Sequence, residues 1–309
     1  DHGGEVLETE IFPSRVKVTR LTYAQADGGL PGGDGAALEA LYRIAERNLN
    51  RRLAAGAVSI ELPETHISVN GGAVQIEPIV PYRSAAMVRE CMLLAGEGAA
   101  LWAGRQMPGG RRLAFPYVSQ EAGDLPREVL PGMAGFYQLR RCMRPRTLSV
   151  TPGRHWGLGL EVYTQVTSPL RRYTDLLAHL QIRALLRGEE PLSEEEVLAR
   201  LGAGEAAALA VVQAERAART HWTAVYLSNK KGSAWDAVAL EKKGFRGAGS
   251  SWTVMIPALA LETQVPLMQD TGPNDEVKLI LKSVNIPRGE AGFTLAAEGS
   301  TQIRRETDT

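Results

Sequence analysis

Apolar positions along this chain keep two periods, and the period changes near residue 231. Before that point the spacing is mostly helical. Leu38, Leu41, Ala45, Leu49 and Leu53 fall on one helical face, and Gly56 stands where such a helix can end. Ser84 can cap a second helix, with Val88, Cys91, Met92, Ala95, Ala99 and Trp102 along one side. Leu170, Tyr173, Leu177, Leu180 and Ala184 mark a third, with Ser168 as its cap and Pro169 at the first helical position. Ser193 and Glu196 form a capping box for the next helix, and a separate Ala-rich helix is predicted from 205 to about 227. Strand signals here are short. Val16 and Val18 alternate with Lys17 and Thr19, as in a half-buried strand. Residues 58–62, 67–69 and 73–80 read as strands, the last two joined by the hairpin signal Asn70-Gly71. Residues 108–152 read as a short helix among loops, and 157–166 as strand-like.

After Lys230-Lys231-Gly232 the pattern becomes strand, Gly or Pro, strand: 235–240, 252–256, 263–267, 276–284 and 292–296. That number and spacing suggest a small barrel. The chain is therefore read as α+β, a mixed helix/sheet domain over 1–230 and a small five-stranded β-barrel over 231–309. A glycine-rich loop is expected at 28–35, and a frayed end at 301–309.

Composition narrows the class only a little. Lys+Arg and Asp+Glu are both 35, so bulk charge neither favours nor excludes a polyanionic partner. The distribution is more telling. Arg140, Arg141, Arg144, Arg146 and Arg154 cluster before the third helix, and an acidic run from Glu189 to Glu196 follows it. Cys91 and Cys142 have no metal or disulfide spacing. No signal peptide is visible, and no stretch is read as a membrane span, so a reducing cytoplasm and no membrane are expected. A monomer is also expected. Asp1-His2-Gly3-Gly4 reads like a loop within a domain, which suggests a C-terminal piece of a longer protein.

The chemistry centres on residues 167–179, TSPLRRYTDLLAH. Arg171 and Arg172 fall in the first turn of the predicted helix, where the dipole disfavours cations. Two arginines beside free N–H groups make an anion site suited to phosphate. The stretch resembles the signature of the ribonuclease II family, processive exoribonucleases with an RNB catalytic domain. Other segments resemble that family in the same order. They are RLTY at 20–23, VRECMLLA at 88–95, HWGLGL at 155–160, and Ala214-Glu215-Arg216 followed by Trp222. The terminal barrel is similar to the family's C-terminal OB-fold.

The resemblance implies an N-terminally truncated RNB domain and an OB-fold. It implies 3′-5′ processive hydrolysis of single-stranded RNA to nucleoside 5′-monophosphates. Arg171 is implied at the phosphates of the scissile bond and Glu215 at the 3′-terminal nucleotide. Tyr23, Glu90, Thr167, Ser168, Arg172 and Arg216 are implied on the RNA, Glu90 near a ribose, with Phe245 and Trp252 as stacking platforms on the barrel. Gln165-Val166 replace the family's usual His-Phe, Gly96 its Asn, and Leu180 its Arg. The family's aspartate cluster, spaced like DxxxxxDxDD and holding Mg²⁺, is absent, and no metal ligand is assigned. The Mg²⁺ ligands are expected on a missing N-terminal part of the same protein, which acts as a partner. The alternative is a non-catalytic RNA-binding protein with a degenerate RNB domain.

Overall fold

The computed structural model describes residues 1, 3–29, 34–246, 249–268 and 270–296, with backbone alone at 34, 245, 246 and 249. The predicted 301–309 end and part of the glycine-rich loop lie outside the described residues. Helices Tyr23–Asp27 (α1) and Asp34–Ala54 (α2) come first, then the hairpin Thr65–Asn70 (β1) and Ala73–Pro78 (β2). Helix Arg83–Gly104 (α3) precedes strand Tyr117–Gln120 (β3), helix Gly132–Cys142 (α4) and strand Arg146–Ser149 (β4). Helices Tyr173–Arg187 (α5) and Glu194–Ser228 (α6) follow. Five strands close the chain: Ala234–Arg246 (β5), Gly249–Ile256 (β6), Leu261–Leu267 (β7), Glu276–Asn285 (β8) and Glu290–Leu295 (β9).

Local chemistry explains most boundaries. Gly56, at φ +90°, lies just beyond the end of α2. The hairpin turns on Gly71 and Gly72, both at positive φ, with Asn70 opposite Ala73. Ser84 does not cap α3. Asp27 does so from outside, accepting from the N–H groups of Arg83 and Ser84 at 2.8 Å each. The Ser84 hydroxyl instead donates to the Tyr23 carbonyl at 3.0 Å. The capping box at Ser193 and Glu196 forms, but the helix it opens continues to Ser228 and is not two helices. Gly202 and Gly204 do not break it. Gly204 leaves room for the Tyr173 ring, which a Cβ would meet at 2.7 Å.

Two stretches predicted as strands are not strands. Residues 58–62 join no sheet, with Val58 donating to the Gly157 carbonyl, and residues 16–18 lie in an irregular, exposed segment. A strand needs a neighbour to satisfy its backbone, and alternation alone does not supply one. The reading of 157–166 as strand-like is also amended. Residues Trp156–Leu158 make a 3₁₀ turn, and only isolated bridges follow it.

The chain divides into two compact units. The first comprises Asp1–Val58, Pro81–Asp124 and Met143–Ala208. Its main core packs Ala100 and Ala103 of α3 on Leu113, Phe115 and Tyr117, with Ala178 and Ile182 of α5. Full burial of a side chain such as Phe115 contributes roughly 1.5–3 kcal/mol. The second unit comprises Ser59–Val80, Leu125–Cys142 and Leu209–Thr309. There the five strands form an antiparallel sheet ordered β7-β6-β5-β8-β9, and β9 comes alongside β7 so that a barrel nearly closes. Its core is Ala237, Ala239, Trp252, Val254, Ile256, Val265, Leu279, Leu281 and Phe293.

Helix α6 amends another expectation. It is long and apolar enough to cross a membrane by length and composition, with a mean hydropathy of 1.4 over its most apolar window. Much of that apolarity is alanine. Val197 and Leu201 near its start are buried in the first unit, and Leu227 near its end in the barrel core.

Candidate functional site around Arg171

The loop that presents Arg171 is built from the sheet outward. The Val118 N–H donates to the Tyr163 carbonyl at 2.9 Å, and the buried Thr164 hydroxyl donates to the Pro116 carbonyl at 2.6 Å. Gly96 of α3 packs beneath this segment, where a Cβ would overlap the Tyr163 ring and sit 2.5 Å from the Thr164 oxygen. A larger residue has no room there.

Beyond Thr164 the chain folds back onto the start of α5. The His179 Nε2 lies 2.7 Å from the Val166 carbonyl. Asp175 is fully buried and accepts from the Ser168 N–H at 2.8 Å. The same carboxylate takes the Arg172 Nε at 2.8 Å and Nη2 at 2.7 Å, a fork-to-fork pair. Arg172 also donates to the Thr167 hydroxyl at 3.3 Å.

This geometry changes the reading of the motif. Ser168 is not the helix cap and Pro169 is not the first helical residue. Helix α5 begins at Tyr173, with Arg172 at the cap position and no side chain capping it. Residues 168–171 make a tight turn instead, the Ser168 carbonyl accepting from the Arg171 and Arg172 N–H groups at 3.2 and 3.0 Å. The two arginines therefore divide their tasks. Arg172, expected on the RNA, is tied to Asp175 and holds the loop. Arg171 is exposed at the apex beside a fully exposed Leu170, and its guanidinium has no ion pair or hydrogen bond among the described residues. The first N–H groups of α5 lie nearby in sequence with no side-chain acceptor. The arrangement can hold an anion with two phosphate oxygens. The signal that sequence reading missed was Asp175, an acid in the first turn of α5.

A second network fixes the HWGLGL turn. Glu90, expected near a ribose, is 2% exposed and held inside the protein. It pairs with Arg52 through Nε at 3.0 Å and Nη2 at 2.5 Å, and accepts from Asn48 at 3.0 Å. Arg52 also donates to the Leu158 carbonyl at 2.9 Å, and Val58 to the Gly157 carbonyl at 3.0 Å. Gln120 accepts from the Gly157 N–H at 3.0 Å. Gly159 sits at φ +65° against the Arg52 carbonyl, a position only glycine fits. Removing the Glu90 carboxylate strands a buried guanidinium. Glu90→Ala is expected to cost about 3–5 kcal/mol of unfolding free energy by urea titration. A loss under 1 kcal/mol, with altered discrimination between RNA and DNA, would return Glu90 to the ribose.

His155 in the same turn is also buried, edge-on to Tyr163 with ring centroids 5.9 Å apart. Burial lowers its pKa from 6.5 to about 4. The folded state thus favours the neutral ring. Its contribution is fully present above pH 6.5 and is lost as pH falls from 6.5 towards 4. The urea midpoint should drop across that window, and His155→Phe should flatten the drop; an unchanged slope in the variant would exclude His155 as the cause.

The remaining predicted residues are dispersed. Tyr23 is 47% exposed on α1, with its ring 6.3 Å from that of Tyr82. Glu215 and Arg216 are exposed on α6 in the second unit. Trp252, expected as a stacking platform, is 3% exposed inside the barrel core and offers no face to a base. The Phe245 side chain lies outside the described residues. Among the described residues, no three His, Cys, Asp or Glu side chains gather as metal ligands. The residues present do not fit the Mg²⁺ site that the family resemblance implies.

Comparison with known proteins agrees with this architecture. The RNB domain family model matches residues 1–122 and 136–188. An uncharacterized ribonuclease of Synechocystis is 33% identical over 304 residues, covering 95% of this chain and 44% of that protein. Ribonuclease R of Vibrio cholerae is 26% identical over 221 residues, covering 57% of this chain and 26% of that protein. The chain thus spans less than half the length of these relatives. Among solved structures, Mycoplasma genitalium RNase R in complex with ribose methylated single-stranded RNA is similar, with a TM-score of 0.68 and 16% identity. That match covers 89% of this chain and 53% of the RNase R chain and bears on the fold.

Proposed function

This chain belongs to the RNB domain family, and on that premise we propose that the whole protein is a 3′-5′ exoribonuclease. It hydrolyses single-stranded RNA processively from the 3′ end and releases nucleoside 5′-monophosphates. The observation that carries the reading is the free Arg171 guanidinium on a loop clamped by Asp175 and His179. In the reaction, water attacks the phosphorus and the bond to the 3′ oxygen breaks. The shortened RNA keeps a 3′-hydroxyl. Arg171 grips two non-bridging oxygens as their charge rises, and a fork already held in place costs little reorganisation.

The other assignments are part of the same proposal. Glu215 and Arg216 receive the 3′-terminal nucleotide, Tyr23 packs on the strand, and the barrel acts as an OB-type RNA-binding module. Mg²⁺ is the expected cofactor. Its carboxylate ligands belong to polypeptide outside 1–309. RNA as substrate accords with ribonuclease R being the name of related proteins.

The test uses the full-length protein and a 5′-labelled single-stranded RNA. Full-length RNA should give way directly to a short labelled end product and free nucleoside 5′-monophosphates, without accumulating labelled intermediates, and matched DNA should stay intact. Internal cuts or 3′-phosphate ends would contradict the mechanism. Tight RNA binding without cleavage would favour a non-catalytic RNA-binding protein.

A further inference from the structure

Residues 12–25 are exposed without a break. Phe12, Val16 and Val18 are 67%, 76% and 67% exposed. This stretch carries the alternation of a half-buried strand, yet it joins no sheet. The backbone of residues 6–21 has no hydrogen-bond partner among the described residues. β-branched residues alternating with polar ones fit a pleated, half-buried surface. Left open, such a strand is a template for another chain, a hazard that proteins normally cover or blunt.

Charge selects the occupant. From Ile11 to Ala26 there is no acidic residue, while Arg15, Lys17 and Arg20 are all cationic. In a strand, Val16 and Val18 face one side, and Arg15, Lys17 and Thr19 the other. Two copies paired here would bring Arg15 and Lys17 of each together on one face, with Arg20 on the other, and no carboxylate between them, which is destabilising. A segment bearing carboxylates has the opposite effect. The length for such a segment exists in a relative, of which the matched part is only 44%.

We propose that residues 14–21 are one strand of a sheet completed by a carboxylate-bearing segment of the same polypeptide outside 1–309. The unpaired segment is independent of the proposed activity; only the expectation of carboxylates outside 1–309 rests on that reading. The proposal also assigns a place to Val16 and Val18, on the apolar side of the completed sheet.

Hydrogen–deuterium exchange on the full-length protein tests this. The amides of residues 14–21 should exchange at least roughly a hundredfold more slowly than free chain, at every protein concentration. Free-chain rates would overturn the proposal, and protection that appears only as the protein dimerises would assign the strand to a second copy. Arg15→Glu with Lys17→Glu should reduce the protection at least about tenfold, since carboxylates would then face carboxylates. Unchanged protection in that variant would overturn the charge argument. A photo-cross-linker in place of Val16 should join a peptide outside 1–309, and a link within 1–309 would overturn the assignment. None of these readouts uses RNA. A full-length protein that leaves RNA intact would fail the exoribonuclease reading and leave this test unaffected.

Discussion

Arg171→Ala in the full-length protein is expected to slow RNA hydrolysis by about two orders of magnitude, while RNA affinity stays close to normal. The estimate follows from losing a transition-state contact of ~3 kcal/mol. Affinity is retained because a long strand is held by many phosphates, of which Arg171 would meet one or two. Arg171→Lys should fail nearly as badly, since an ammonium cannot span two oxygens in one plane. The structure adds a contrast that the sequence could not. Arg172 is one residue away but is paired to buried Asp175 through two hydrogen bonds. Arg172→Ala should therefore loosen the loop and lower stability together with turnover. Arg171→Ala should leave the urea midpoint unchanged. Single-turnover rates and denaturation curves on both variants check this, and near-normal turnover in Arg171→Ala would remove the residue from the chemistry.

What the sequence made legible was local. Helical periodicity located α2, α3 and α5, the Ser193–Glu196 box marked the start of α6, and Asn70-Gly71 signalled the β1–β2 hairpin. Alternating strands after Lys231 announced the barrel. What stayed hidden depended on partners far along the chain. Asp27 caps α3 across more than fifty residues, and Glu90 meets Arg52 across thirty-eight. Neither pairing leaves a trace in local spacing. Sequence alone allows Trp252 as a stacking platform because aromatic residues in a barrel serve both roles, and only its register on β6 turns it inward. Ser168 and Pro169 satisfy every rule for a helix start, yet the bidentate Arg172–Asp175 pair moves the start to Tyr173. Val16 and Val18 obey the strand period, and that period cannot reveal whether a neighbouring strand is at hand.

The second large effect concerns the division of labour proposed between this chain and polypeptide outside 1–309. A divalent cation such as Mg²⁺ needs several hard oxygen ligands gathered in one place. The described residues offer no such group, Glu90 is committed to Arg52, and the exposed Arg171 would repel a cation. Residues 1–309 alone are therefore expected to bind single-stranded RNA weakly and to hydrolyse none of it. In the proposed enzyme this chain contributes the phosphate arginine while the metal ligands come from elsewhere. That division is tested most directly by assaying purified 1–309 on a single-stranded RNA with Mg²⁺, with and without the remaining segment of the full-length protein. No mononucleotide release is expected from 1–309 alone, and Mg²⁺-dependent release is expected once the segment is restored. Processive, Mg²⁺-dependent degradation by 1–309 alone would contradict it.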